Sequence, residues 1–284
     1  MKDRITMSAL GPKGIGKGFG NKLFQYAFLK TYAKKHHLKV EVPKWIGRYL
    51  FGLKDPPITK KLPVVKQVSP CLEQDSIPNA KEPYKNVDLL GYFQYHTRYY
   101  APYKNYIQAL FQPVPDIQTR MDEAIKRLRS KGKTIVGLHL RRGDYGLYNK
   151  DPFFIPPNSW YLQWLNEIWN TLDDPLLFIA SDETDLVLND FSSYHPITSK
   201  DLEITLTKAS FYPDFYILTQ CDILAISNST FSFSACLLNE RSKSFMCPYP
   251  PEKSLVSFDP WDSEVLYRTD LYTKRYSFKE RSVK

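Results

Sequence analysis

The chain has 284 residues, 43% hydrophobic content and a formal net charge of +9, which suits a soluble globular protein of one or two domains. No apolar run approaches the ~20 residues of a membrane-crossing helix, and Met1–Leu10 is too short and too polar for a secretory signal. The charge points to an anionic ligand, an anionic membrane surface or nucleic acid. Much of it sits in dispersed or terminal lysines (Lys34, Lys35, Lys60, Lys61, Lys274, Lys279, Lys284), and no RNP, zinc-finger or basic-zipper pattern is present, so no nucleic-acid partner is expected. The cysteines (Cys71, Cys221, Cys236, Cys247) show no CxxC spacing, as expected of free thiols in a reducing cytoplasm. Peripheral contact with the inner face of a membrane is left open. The histidines are scattered apart from His36-His37, so no metal cluster is expected.

In chain order, Ile5–Leu10 reads as a strand running into a glycine-rich loop, Gly11–Gly20. Leu23, Phe24, Ala27, Phe28 and Tyr32 then recur at helical spacing, with Asn21 as the expected N-cap. The span from 41 to 83 is punctuated by prolines and reads as loops with short strands. Val87–Phe93 predicts another strand, and Ile117, Met121, Ile125 and Leu128 predict a helix ending near Lys131-Gly132. A domain boundary is placed near residue 130, giving an N-terminal domain 1–130 and a C-terminal domain 131–284.

Beyond it, strand and helix alternate. The apolar run Thr134–Leu138 ends in His139-Leu140-Arg141-Arg142-Gly143-Asp144-Tyr145; a helix carries Trp160, Trp164, Leu165 and Ile168, a stripe read as core. Leu176–Ala180 ends at Ser181-Asp182, and Ile223–Ile226 ends at Ser227-Asn228-Ser229-Thr230, which opens a further helix. Such alternation predicts parallel βαβ units, whose strand ends line the ligand crevice of an open α/β sheet. Charge at a buried strand end needs partners, and an arginine there can grip a phosphate bidentately. The plainer reading is a surface turn in which the arginines pair with local acids such as Asp144.

Other signals also admit two readings. Gly11-Pro12-Lys13-Gly14-Ile15-Gly16-Lys17 begins like a phosphate-binding P-loop, but Gly18 stands where a hydroxyl is needed and Pro12 lacks an amide N–H. Gly18-Phe19-Gly20-Asn21 would bring amides and a helix N-terminus near an anion, or simply make a tight turn. Ser229, Thr230 and Ser232 offer hydroxyls and amides at a helix start, or ordinary caps. Asp214, in an apolar stretch, would pair with guanine or cap a helix.

Taken together, these segments resemble the α-1,2-fucosyltransferases of glycosyltransferase family 11. Gly18–Ala27 resembles their GLGNQMFQYA motif and Gly91–Gln94 their GYFQ strand; His139–Tyr145 is similar to HxRRGDY, Phe178–Asp182 to the strand-end SDD, and Ile226–Ser232 to IANSTFS. The pieces occur in family order from about Gly18 to Asn239. Lys22 replaces Gln, Leu23 replaces Met, Glu183 replaces the last Asp of SDD, and Phe233-Ser234 stands where an aromatic pair is common.

The resemblance implies an α/β, GT-B-like architecture of two Rossmann-like domains facing a central cleft, the first on the acceptor side and the second binding GDP-fucose. It implies inverting transfer of L-fucose from GDP-β-L-fucose to the 2-hydroxyl of a terminal galactose, on an oligosaccharide or lipid-linked glycan, with no metal. Carried over by position, Arg141 grips the diphosphate, Arg142 and Asp144 shape the crevice, and His139 and Asp182 lie beside the nucleotide. Asp214 reads guanine; Ser229, Thr230 and Ser232 contact phosphate or ribose; Gly20 and Asn21 approach the diphosphate or reacting centre. For a general base, Asp144 ranks before His139. Transfer in α-1,6 linkage and a non-catalytic nucleotide- or glycan-binding module are the alternatives.

Overall fold

A computed structural model gives the fold and describes residues 3–148 and 152–269. Lys274, Lys279 and Lys284 lie outside them. The chain divides into two compact units: Met1–Gln118 with Trp261–Val265, and Thr119–Pro260 with Leu266–Lys284.

The first unit is built on a parallel sheet in the order β2-β1-β4-β3, from β1 (Arg4–Thr6), β2 (Lys39–Glu41), β3 (Val64–Lys66) and β4 (Val87–Leu90). Strand β1 is shorter than the Ile5–Leu10 expected, because Asp88 within β4 draws the chain aside. Its carboxylate takes the Thr6 hydroxyl at 2.6 Å and the Ser8 amide at 2.8 Å, and Ser8–Leu10 turns as a 3-10 helix. Helix α1 (Phe19–Lys35) is capped by Gly18 rather than by Asn21. It is apolar on nearly every side and accordingly buried, with Phe28 at 0% exposure stacked on Phe93 at 4.3 Å between centroids. Trp261–Val265 joins this unit through Thr97, whose amide donates to the Ser263 carbonyl at 2.8 Å.

The second unit carries a sheet in the order β6-β5-β7-β8-β9: β5 (Thr134–Leu140), β6 (Pro175–Ser181), β7 (Ile223–Ala225) and β8 (Ser244–Tyr249) run parallel, and β9 (Ser254–Ser257) pairs antiparallel with β8. Helix α2 (Pro115–Arg129) precedes β5, α3 (Asn158–Ile168) lies between β5 and β6, α4 (Tyr212–Leu218) precedes β7, and α5 (Thr230–Leu238) follows it. The α3 stripe is core: Tyr161, Trp164 and Leu165 pack with Val136, Leu138 and Ile179 of the sheet. Full burial of each such side chain contributes roughly 1.5–3 kcal/mol. No described helix is long and apolar enough to cross a membrane. The mixed α/β class with parallel sheets is as expected.

Candidate active site

Strand order brings the three polar strand ends together. β5 lies between β6 and β7, with Leu140 opposite Ser181 and Leu138 opposite Ala225, so the residues just beyond them, Arg141, Asp182 and Ser227, become neighbours. The contacts are direct. The Ser181 hydroxyl donates to the Leu140 carbonyl at 2.7 Å, the Arg142 amide to Asp182 Oδ1 at 2.8 Å, and the Arg141 amide to Ser227 Oγ at 3.3 Å.

The Arg141 guanidinium is held from three sides and stays partly exposed. Nη1 lies 2.7 Å from Asp182 Oδ2, Nη2 pairs with Asp144, and the group sits 5.2 Å from the centre of the Tyr145 ring. Its five N–H donors exceed these bonds, so it can still receive a diphosphate oxygen. Asp144 is half-exposed. Tyr145 is buried and donates to the Asn228 carbonyl at 3.2 Å, tying the arginine turn to the loop after β7. Gly143 bridges the two acids: its φ is +23, and a Cβ there would run into the Asp182 carboxylate.

His139 and Arg142 are built into the scaffold of the turn. His139 is 5% exposed, with Nδ1 2.7 Å from Ser227 Oγ and its ring stacked on Phe231 at 5.2 Å. Burial, with Arg141 and Arg142 nearby, pushes its pKa down to about 3, so it is a neutral scaffold group ill suited to act as a base near neutral pH. The Arg142 guanidinium turns away to Asn158 on α3 and bonds the Arg141 carbonyl at 3.0 Å; Asn158 in turn donates to Asp190 at 2.6 Å. It braces the turn.

Helix α5 begins at this site. Ser229 is its N-cap, its side chain accepting from the Phe231 amide, and Thr230 opens the first turn, at the helix end whose dipole favours an anion. Ser232 is fully buried and bonds the Ser229 carbonyl at 3.3 Å, so it shapes the turn from beneath rather than meeting a ligand. Asn228 is equally structural: its side chain ties Pro152 and Tyr267, at 2.7 Å from the Pro152 carbonyl and 2.7 Å from the Tyr267 amide.

Beside Asp182 opens a cavity of about 610 Å³, with Thr184, Ser199, Lys200, Thr205 and Asp214 in its wall. Asp214 lies in the first turn of α4, and burial pushes its pKa up to about 6 against the opposing pull of Ser199 and Lys200. The Ser199–Thr205 wall was missed in the sequence; its only signal was the polar turn Thr198–Asp201, closed by the Thr198 amide donating to Asp201 at 2.8 Å. Among the described residues, no group of three or more His, Cys, Asp and Glu side chains is placed to hold a metal ion.

In the first unit, Gly20 is buried in the opening turn of α1, and Asn21 Oδ1 accepts from Gln94 Nε2 at 2.7 Å. The preceding loop is no P-loop. The Lys22 ammonium sits under it, donating to the Ala9 carbonyl at 2.5 Å and the Ile15 carbonyl at 3.2 Å, so oxygens converge there where a phosphate cradle needs amides.

The family model for glycosyl transferase family 11 matches residues 15–254. The chain belongs to glycosyl transferase family 11. No curated protein matches this family 11 member. Solved structures share its fold at low identity. Fucosyltransferase NodZ from Bradyrhizobium is 14% identical, with a TM-score of 0.56 over 92% of this chain and 100% of that one. An arginine-to-lysine mutant of Arabidopsis thaliana FUT1 in complex with GDP is 14% identical, with a TM-score of 0.60 over 90% of this chain and 74% of that one. POFUT1 in complex with GDP is 12% identical, with a TM-score of 0.56 over 87% and 98%. The family 11 protein is thus a glycosyltransferase on a fucosyltransferase-like fold.

Proposed function

We propose that the protein transfers L-fucose, with inversion, from GDP-β-L-fucose to the 2-hydroxyl of a terminal galactose on an oligosaccharide or lipid-linked glycan. The carrying observation is the Arg141 guanidinium, fixed by Asp144 and Asp182 beside the Tyr145 ring, with the start of α5 tied to the same turn. Departure of GDP builds negative charge on the β-phosphate. A fixed guanidinium and the positive end of the α5 dipole meet that charge without reorganising, which is where electrostatic stabilisation is strongest. These groups supply positive charge that a metal supplies elsewhere, and transfer is proposed to need no metal.

The cavity beside Asp182 takes the nucleoside, with the Asp214 carboxylate accepting from the N1 and amino N–H groups of guanine. NodZ and POFUT1 have been crystallised with GDP, and NodZ and POFUT1 also with GDP-fucose, which supports the donor class. The α-1,2 linkage rests on the GFGN, FQYA and RRGDY segments, and Asp144, the exposed carboxylate beside Arg141, is proposed as the base. The free cysteines accord with a reducing cytoplasmic setting.

The test is purified protein with GDP-fucose, a β-galactoside and a chelator, followed by linkage analysis of the product. Transfer to O2 supports the proposal. An α-1,6 product gives the other linkage, GDP binding without turnover on any acceptor gives a binding module, and strict dependence on added manganese overturns the metal-free mechanism.

A further inference from the structure

Four tyrosines of the first unit are sealed in its core: Tyr26, Tyr32, Tyr95 and Tyr100 are each at most 1% exposed. Tyr92 is 46% exposed, and the backbone beneath it is built to hold it there. The amides of Tyr92 and Phe93 both donate to Gln67 Oε1, each at 2.9 Å. Phe93 has a φ of 53, a left-handed conformation costly for a bulky side chain. Its ring is pinned to Phe28 at 4.3 Å and 4° between planes, and its carbonyl accepts from the Tyr100 hydroxyl. The strained residue faces inward while Tyr92 turns out and Gln94 reaches Asn21 at 2.7 Å.

The glycine loop is shaped to the same ring. Gly16 has a φ of +65, and a Cβ there would come within 2.9 Å of Tyr92 Cε1 and 3.1 Å of Asn21 Cβ. A residue without a side chain thus lets the ring lie against the loop beside the amide pair. An exposed aromatic face on a fixed backbone, next to two carboxamides, is complementary to a pyranose. The C–H face of galactose stacks on a ring, and carboxamides both donate to and accept from hydroxyls.

We infer that Tyr92, flanked by Asn21 and Gln94, is the platform on which the first unit holds the acceptor sugar. This rests on the fucosyl-transfer reading and adds the acceptor's seat to it. Tyr92 here is a specificity-determining residue, distinct from the groups assigned to the donor.

The experiment combines kinetics with saturation-transfer NMR, using methyl β-galactoside and a β-galactosyl disaccharide as probes on wild type, Tyr92→Ala and Tyr92→Phe. Tyr92→Ala should raise the acceptor KM about tenfold, the upper range for one aromatic contact, and extinguish the sugar's saturation-transfer signal. The GDP-fucose KM should stay within about twofold and thermal melting should be unchanged, because the side chain lies at the surface. Tyr92→Phe should behave as wild type. An unchanged acceptor KM, an equal loss of donor affinity, or absence of sugar binding by the wild type overturns the platform. Tyr92-dependent galactoside binding without transfer to O2 leaves the platform standing and overturns the transfer reading, so the two failures are distinct.

Discussion

Asp182 holds Arg141 and Arg142 at once: Oδ2 lies 2.7 Å from the Arg141 guanidinium and Oδ1 accepts the Arg142 backbone amide at 2.8 Å. One carboxylate at the end of β6 therefore sets both the direction of the arginine and the path of the turn that carries it. Pairing with Asp182 and Asp144 explains how a guanidinium can wait at a strand end without collapsing onto the surface.

Gly143 is where this arrangement is most easily disturbed. In Gly143→Ala the new methyl displaces the Asp182 carboxylate at a backbone angle unfavourable to alanine. The carboxylate can rotate away, so the fold should survive, while kcat/KM falls roughly tenfold or more, as expected of a small misplacement. Steady-state kinetics with a melting curve checks this; wild-type turnover would show that Asp182 does not need its present seat.

Asp214, proposed to read guanine, should make donor binding sensitive to pH. Its raised pKa, about 6, means that the folded protein keeps a proton the unfolded chain releases near 3.8. The stability this contributes is complete below that value and is lost as pH rises through about 6. Guanine recognition needs the ionised form, so GDP affinity should drop about tenfold between pH 7 and pH 5. Calorimetric titration should find this dependence in the wild type and a weak, nearly pH-independent binding in Asp214→Asn. A flat wild-type profile contradicts the assignment.

His139 works in the opposite sense. Its depressed pKa, about 3, leaves it neutral while the unfolded histidine takes up a proton near 6.5. Its contribution to stability is therefore present above about 6.5 and lost as pH falls toward 3. His139→Phe keeps a ring against Phe231 and should lose less of its urea midpoint between pH 7 and pH 4 than the wild type does. An equal loss in both proteins would remove His139 from the account of acid sensitivity.

Asp144 separates base catalysis from donor binding. Asp144→Asn removes a negative charge beside the proposed diphosphate site, so GDP should bind as well or better, while kcat falls about a hundredfold if the carboxylate takes the acceptor proton. An unchanged kcat assigns Asp144 only to orienting Arg141.

Three strands of the second sheet and their polar ends were legible because three apolar runs of strand length each ended in charge or hydroxyls, and parallel order made those ends neighbours, whereas β8 and β9 were not foreseen. What stayed illegible depends on directions that one-dimensional patterns do not carry. Ser232 and Ser229 belong to one motif, yet the turn of α5 leaves Ser232 fully buried. Adjacent Arg141 and Arg142 diverge because successive side chains leave an extended chain on opposite faces. Gly18 rather than Asn21 caps α1 because the helix already begins at Phe19, leaving Asn21 inside its first turn, where it accepts from Gln94. The Ser199–Thr205 wall has no periodicity, and only the fold brings it to Asp214.

The central claim, that Arg141 and the start of α5 together receive the leaving diphosphate, is tested most directly by a crystal structure of the protein soaked with GDP. The account predicts β-phosphate oxygens within about 3 Å of the Arg141 guanidinium and of the backbone amides near Ser229 and Thr230. A diphosphate bound elsewhere, with Arg141 still closed on Asp144 and Asp182, would contradict it.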